Sequence, residues 1–141
     1  MTMNRRPLGR GRVLAIVFAI VMLAACLLPW YTFPGADLPG RPLNGFSGSG
    51  FLVFLAALAV LAVVSLPYAA GDRPVGADRW LIYLLLAIAA WVGVVVWPLD
   101  LLGDLAGGLL PDRAPGFWLA VVGTAGLTRA AYEMAHEPGR R

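Results

Sequence analysis

Three stretches of this chain carry no charged side chain over the length a helix needs to cross a membrane: Val13 to Trp30, Phe51 to Tyr68 and Trp80 to Trp97. At a rise of about 1.5 Å per residue, each covers most of a hydrocarbon layer about 30 Å thick. Lipid offers no partner to backbone N–H and C=O groups, so runs of this kind close their hydrogen bonds as helices. A fourth run is weaker. Phe117 to Thr128 is apolar, Arg129 interrupts it, and "AAYEMA" continues in a helical pattern. We read it as a span from about Gly116 to Ala135, with Arg129 near its inner end reaching toward the headgroups. The sequence therefore predicts an all-α membrane protein: one four-transmembrane-helix bundle over 13–135, after a basic N-terminus at 1–12 and before a tail at 136–141. Composition agrees, with 60% hydrophobic and only 13% charged residues, where a soluble domain carries about a quarter charged.

The charge pattern sets an expected orientation. All eleven basic residues are arginine, which, with the many Ala, Gly, Val and Leu residues, suggests a high-GC bacterial genome. Arg5, Arg6, Arg10 and Arg12 precede the first span, Arg73 and Arg79 separate the second from the third, and Arg129, Arg140 and Arg141 lie at the end. Only Arg41 and Arg113 fall in the other two loops. The positive-inside rule then places both termini and the middle loop in the cytoplasm of a bacterial cytoplasmic membrane. Basic residues at membrane edges point to the lipid bilayer as partner and away from nucleic acid. Trp30, Tyr31, Trp97 and Trp118 are expected at the outer interface, and Tyr68, Trp80 and Tyr132 near the inner one.

Short motifs refine this plan. Pro29, Pro67 and Pro98 stand near the expected C-termini of the first three spans, where proline ends or kinks a helix. Small residues recur every fourth position: Gly11, Ala15 and Ala19; Ala89 and Gly93; Gly116, Ala120, Thr124 and Thr128. Such ridges let membrane helices approach closely. They can serve the bundle itself, another membrane protein or a second copy. Both outer loops carry an aspartate, an arginine and a Gly-Phe before the next span, so the hairpins are either a duplication or convergent.

The outer loops also hold the candidate ligand or partner surface: Trp30, Asp37, Arg41, Asp100, Asp104 and Trp118. In "LDLLGDLAGGLL", Asp100 and Asp104 share one face of an expected short amphipathic segment around 99–110. Ser47 or Ser49 can cap the second span. "GFSG" resembles the nucleophile motif of rhomboid proteases, but His136, the single histidine, is expected on the opposite membrane face, out of reach as a base. With one histidine and one cysteine, the chain has no pair for a disulfide exchange centre, bis-histidine haem or a histidine metal site. The spans lack the buried carboxylate on which small multidrug transporters rely. No catalytic constellation and no cofactor motif emerges.

"LAAC" at Leu23 to Cys26 has the form of a lipobox, which would make Cys26 a lipidated N-terminus. Leu27 and Leu28 continue the apolar run to Pro29-Trp30, as an uncleaved span requires. With "LLPWY", then "NGF", then "GFWLAVVGTAGL" and "YEM", the chain resembles a largely uncharacterised group of small four-span membrane proteins common in Actinobacteria. That resemblance implies a topology and supplies no catalytic residues. The expected role is non-enzymatic: a structural or accessory component of a bacterial cell envelope or membrane complex. The alternative is a small-molecule or lipid carrier with a pocket open to the outer side.

Overall fold

A computed structural model of the chain describes residues 8–31, 43–46, 48–70, 80–101 and 115–137. Among the described residues there are four α-helices: α1 at Arg10–Leu27, α2 at Phe51–Ala69, α3 at Trp80–Leu101 and α4 at Pro115–Ala135. Two short strands, β1 (Pro29–Tyr31) and β2 (Leu43–Asn44), pair antiparallel, and a 3-10 turn at Gly48–Gly50 leads into α2. Gly48 opens this turn with φ +70°, a conformation glycine adopts without a steric penalty. The segments Arg10–Leu27, Gly48–Ala69 and Trp80–Trp97 are long and apolar enough to cross a membrane.

The helices pack in a ring. Each lies on its two sequence neighbours, and α1 closes the ring on α4 through the most extensive of the four interfaces. α1 and α4 run antiparallel. Gly11 lies against Met134 and the Ala130 carbonyl, Gly126 against the Phe18 ring, and Gly116 against the Ala25 and Leu28 carbonyls.

Buried positions follow a heptad-like rhythm. On α3 they are Tyr83, Ala87, Ala90, Val94 and Trp97; on α4, Gly116, Ala120, Gly123, Leu127, Ala130 and Met134. This is the spacing of helices packed knobs-into-holes at shallow crossing angles. The outward rows keep the same rhythm: Val13, Val17 and Ile20 on α1, Leu81, Leu85, Ile88, Val92 and Val95 on α3. Small residues therefore pack the α1–α4 seam while large aliphatics face outward, the reverse of a soluble bundle and the arrangement that suits a lipid solvent.

Helix ends depart from expectation in instructive ways. α1 stops at Leu27 rather than Trp30, because Leu28 precedes a proline and takes extended backbone. α2 continues past Pro67 to Ala69, whose end is closed by the Ala70 N–H to the Leu66 carbonyl at 2.9 Å. α3 passes through Pro98 to Leu101. A proline in the last turn forfeits one backbone bond only, so neither ends its helix at once. Leu99 to Leu101 thus extend α3, and the rest of the expected amphipathic segment at 102–110 lies outside the described residues. So do Ser47, the middle-loop residues Asp72, Arg73, Asp78 and Arg79, and the α3–α4 loop from 102 to 114, which leaves the two hairpins without a comparison.

Ser49 does not cap α2. Gly50 holds the N-cap position without a side-chain bond, and Ser49 Oγ instead donates to the Gly93 carbonyl of α3 at 3.2 Å. Close approach explains the choice: a Cβ on Gly93 would meet the Ser49 carbonyl at 2.8 Å. A second link joins α3 to α4, where Trp91 Nε1 donates to Thr128 Oγ1 at 3.0 Å and Thr128 donates to the Thr124 carbonyl at 2.9 Å. Interhelical bonds of this type contribute about 0.6 kcal/mol on average in membrane proteins. Trp91→Phe is therefore expected to lower stability by about that amount in a denaturant titration in detergent micelles, with the helical signal intact. A loss several times larger would show that the indole fills space the ring of Phe cannot.

Candidate functional site

The most constrained side chains gather at one end of the ring, where the C-termini of α1 and α3 meet the N-terminus of α4. β1 carries the chain away from α1 and turns Trp30 back over the end of the helices. Its side chain is 0% exposed. The indole Nε1 donates at 2.9 Å to the Ala25 carbonyl, which also accepts the Leu28 N–H at 3.3 Å, so the side chain adds a second donor at the end of α1. The ring meets Trp97 edge-on at 5.4 Å between centroids and Phe117 edge-on at 5.7 Å. Trp97 and Phe117 complete the triangle at 5.8 Å. Edge-to-face pairs at these separations are favoured by the ring quadrupoles beyond the area they bury.

Two glycines make room for the indole. A Cβ on Gly45 would lie 2.9 Å from Trp30 Nε1, and one on Gly116 would lie 2.8 Å from Trp30 Cδ1. Gly45 is held in turn by its N–H, which donates to the Cys26 carbonyl at 3.2 Å. The β1–β2 pairing brings Gly45 here, so the loop between α1 and α2 is pinned at its two ends while the aromatic triangle fills this end of the ring. The group contains no titratable side chain. Its chemistry is steric closure and hydrogen-bond saturation, with nothing to carry a proton or attack a substrate.

The predicted surface residues separate. Trp30 is buried at this end of the ring, packed against Trp97 and Phe117. Trp97 is likewise buried. Trp118 is 47% exposed, with its ring edge-on to Phe117 at 5.4 Å. Phe117 thus stands between Trp30 and Trp118 and holds them apart. Asp37, Arg41 and Asp104 lie outside the described residues. Asp100 falls in the last turn of α3, and its side chain is also outside them.

Cys26 is fully buried inside α1, one residue before the helix ends. The fourth ridge divides its contacts. Gly116 faces α1, Ala120 and Thr124 are buried, and Thr128 accepts the bond from α3. Fourfold spacing drifts by about 40° per step around a helix of 3.6 residues per turn, so such a row must pass from one neighbour to the next. The row that stays on α1 is the sevenfold set Gly116, Gly123 and Ala130, which sequence spacing carries but which a search for steps of four overlooks.

At the opposite end, Arg129 pairs with a carboxylate one turn along the helix. Its Nε donates to Glu133 Oε1 at 3.1 Å, and its guanidinium lies 5.7 Å from the Tyr132 ring centre. His136 Nδ1 is 2.9 Å from the Tyr132 carbonyl, and its ring leans on that of Tyr132. Gly9 lies beside the Glu137 carboxylate, since a Cβ there would meet Oε1 at 2.6 Å. Among the described residues, no three His, Cys, Asp or Glu side chains are grouped so as to hold a metal ion. Compared with models of protein families, with curated protein sequences and with solved structures, the chain matches none.

Proposed function

We propose that the chain is a non-enzymatic, four-span integral membrane protein of the bacterial cytoplasmic membrane, with both termini cytoplasmic, acting as a structural or accessory component of an envelope or membrane complex. The observation that carries this reading is the closed outer end: Trp30, Trp97 and Phe117 occupy the position at which a carrier would open. A filled ring of helices with an apolar exterior has its surface left to act with.

The fourth span is part of the proposal. α4 has 21 residues, the length to cross, yet a modest hydropathy. Its Gly116, Gly123, Thr124 and Gly126 are buried against other helices, whereas its outward row begins Pro115, Trp118, Val122 and Ala125. The mean is lowered chiefly by Arg129 and Glu133, which lie in the last two turns of the helix, at the edge of the proposed span. What lipid meets is apolar until Arg129. The antiparallel register also sets α4 beside α1 along its whole length, so a membrane that contains α1 meets α4 at the same depth.

The same packing supports an uncleaved first span. Cleavage before Cys26 would remove nearly all of α1, and with it the seam on α4. The protein purified from membranes is expected to show the intact mass of a chain containing residues 1–25, and a species starting at a diacylated Cys26 would overturn this part. Partners are tested by affinity purification in mild detergent with mass spectrometry. One stoichiometric membrane protein recovered with the chain, or a defined homo-oligomer, is the expected result. A monodisperse monomer without companions would count against the accessory role.

A further inference from the structure

We propose that the inner end of α4 holds a binding site for the phosphate of an anionic phospholipid, built on Arg129 with Tyr132 beneath it and Glu133 to aim it. The inference rests on the four-span reading. Arg129 stands in the outward row of α4, at a position where α1, α2 and α3 present Val, Ile and Leu. Its side chain is 66% exposed and engages Glu133 through Nε. Among the described residues, the two Nη groups meet no acceptor. A guanidinium facing lipid needs its remaining donors satisfied, and the nearest source is the headgroup layer.

Depth makes the demand specific. Gly11 of α1 lies opposite Ala130 and Met134, and Phe18 lies opposite Gly126. Arg129 therefore sits between the levels of Gly11 and Phe18, about one helical turn deeper than Arg10 and about half a turn deeper than Arg12. A bond from Cα to Cβ tilts toward the helix N-terminus, which for α4 is the outer end. The Glu133 carboxylate, one turn further along, draws the side chain the other way, toward the cytoplasmic headgroups. The Tyr132 ring lies 5.7 Å from the guanidinium carbon and suits the interfacial layer. What remains free is the paired-Nη edge of a planar fork, which matches two oxygens of one phosphate. Glu133 engages Nε alone and fixes the fork at one place, leaving the positive Nη edge for a phosphate; phosphatidylcholine offers the same oxygens, but its trimethylammonium group repels the guanidinium, so an anionic headgroup is preferred.

Lipid phosphate and free phosphate share this chemistry, so the test separates them. The full chain in non-ionic detergent is titrated with phosphatidylglycerol, phosphatidylcholine or inorganic phosphate and followed by native mass spectrometry. The expected result is a phosphatidylglycerol preference over phosphatidylcholine of about fivefold, the scale of one arginine at an anionic surface. Arg129→Gln is expected to erase the preference and Arg129→Lys to keep part of it. The side chain is exposed, so an unchanged unfolding midpoint in both variants is expected to accompany the loss. Equal binding of the two lipids, a preference that survives Arg129→Gln, or displacement of the lipid by equimolar inorganic phosphate would each overturn the proposal. Protease-accessible tags at the two termini, read in sealed vesicles, distinguish the two levels of failure. Tags on opposite sides remove the four-span reading and the site with it. Tags on one side without a lipid preference remove the site alone.

Discussion

Trp30→Ala is expected to cost about 3–5 kcal/mol of unfolding free energy, the range for truncating a buried aromatic. The indole is fully buried, faces Trp97 and Phe117, and supplies the donor to the Ala25 carbonyl. Alanine leaves a space about the size of an indole and one fewer donor at the end of α1. Trp30→Phe retains part of the ring contacts and loses the hydrogen bond, so a smaller loss is expected. Unfolding followed by far-ultraviolet circular dichroism in detergent, across graded denaturant, measures both. The same variant probes function. If the outer end is a structural closure, Trp30→Ala weakens the fold and admits small apolar molecules without creating selective transport. An unchanged midpoint in Trp30→Ala would mean that the aromatic triangle is a loose lid, and the carrier reading would regain its ground.

Gly116→Val is expected to destabilise by about 1–3 kcal/mol or more, the cost of forcing methyl groups into a filled seam. A Cβ at Gly116 would lie 2.7 Å from the Leu28 carbonyl oxygen, 2.8 Å from the Ala25 carbonyl oxygen and 2.8 Å from Trp30 Cδ1. Two of these are backbone atoms at the end of α1 and cannot swing aside. The gain in helix propensity on leaving glycine is under about 1 kcal/mol and works in the opposite direction without matching the clash. Ala125→Val on the outward row of the same helix is the control, since it adds its methyl groups to the exposed side and is expected to change little. Equal midpoints for the two variants would mean that α4 is not seated on α1 as described.

The two substitutions differ in how much of their effect could be anticipated. Gly116 is marked in the sequence by its place in a small-residue ridge, and close packing there follows from the spacing. Trp30 is marked only as an aromatic residue beside a proline at the end of an apolar run, which is also how an interfacial tryptophan looks. Whether such a ring lies in the headgroups or folds over the helix ends depends on the backbone after Leu28, on Gly45 from a distant loop and on Gly116 from the last helix. No local pattern carries that information. Trp97 and Phe117 pose the same ambiguity, and both side chains turn inward. Ser49 was legible as a hydroxyl before a helix, but its bond to Gly93 depends on how near α3 comes. Arg129 and Glu133 are four apart, a spacing that predicts their pairing outright.

The sequence by itself determined the helices, three apolar enough to cross a membrane, and the small-residue seams, because charge-free length and residue size act locally along the chain. Only the tertiary structure decided that α4 closes the ring on α1, and that the end where α1 and α3 finish and α4 begins is filled by Trp30, Trp97 and Phe117. The physical reason is the same in each case. An apolar or small side chain is compatible with either lipid or a neighbouring helix, and which of the two it meets is settled by the register between segments far apart in the chain.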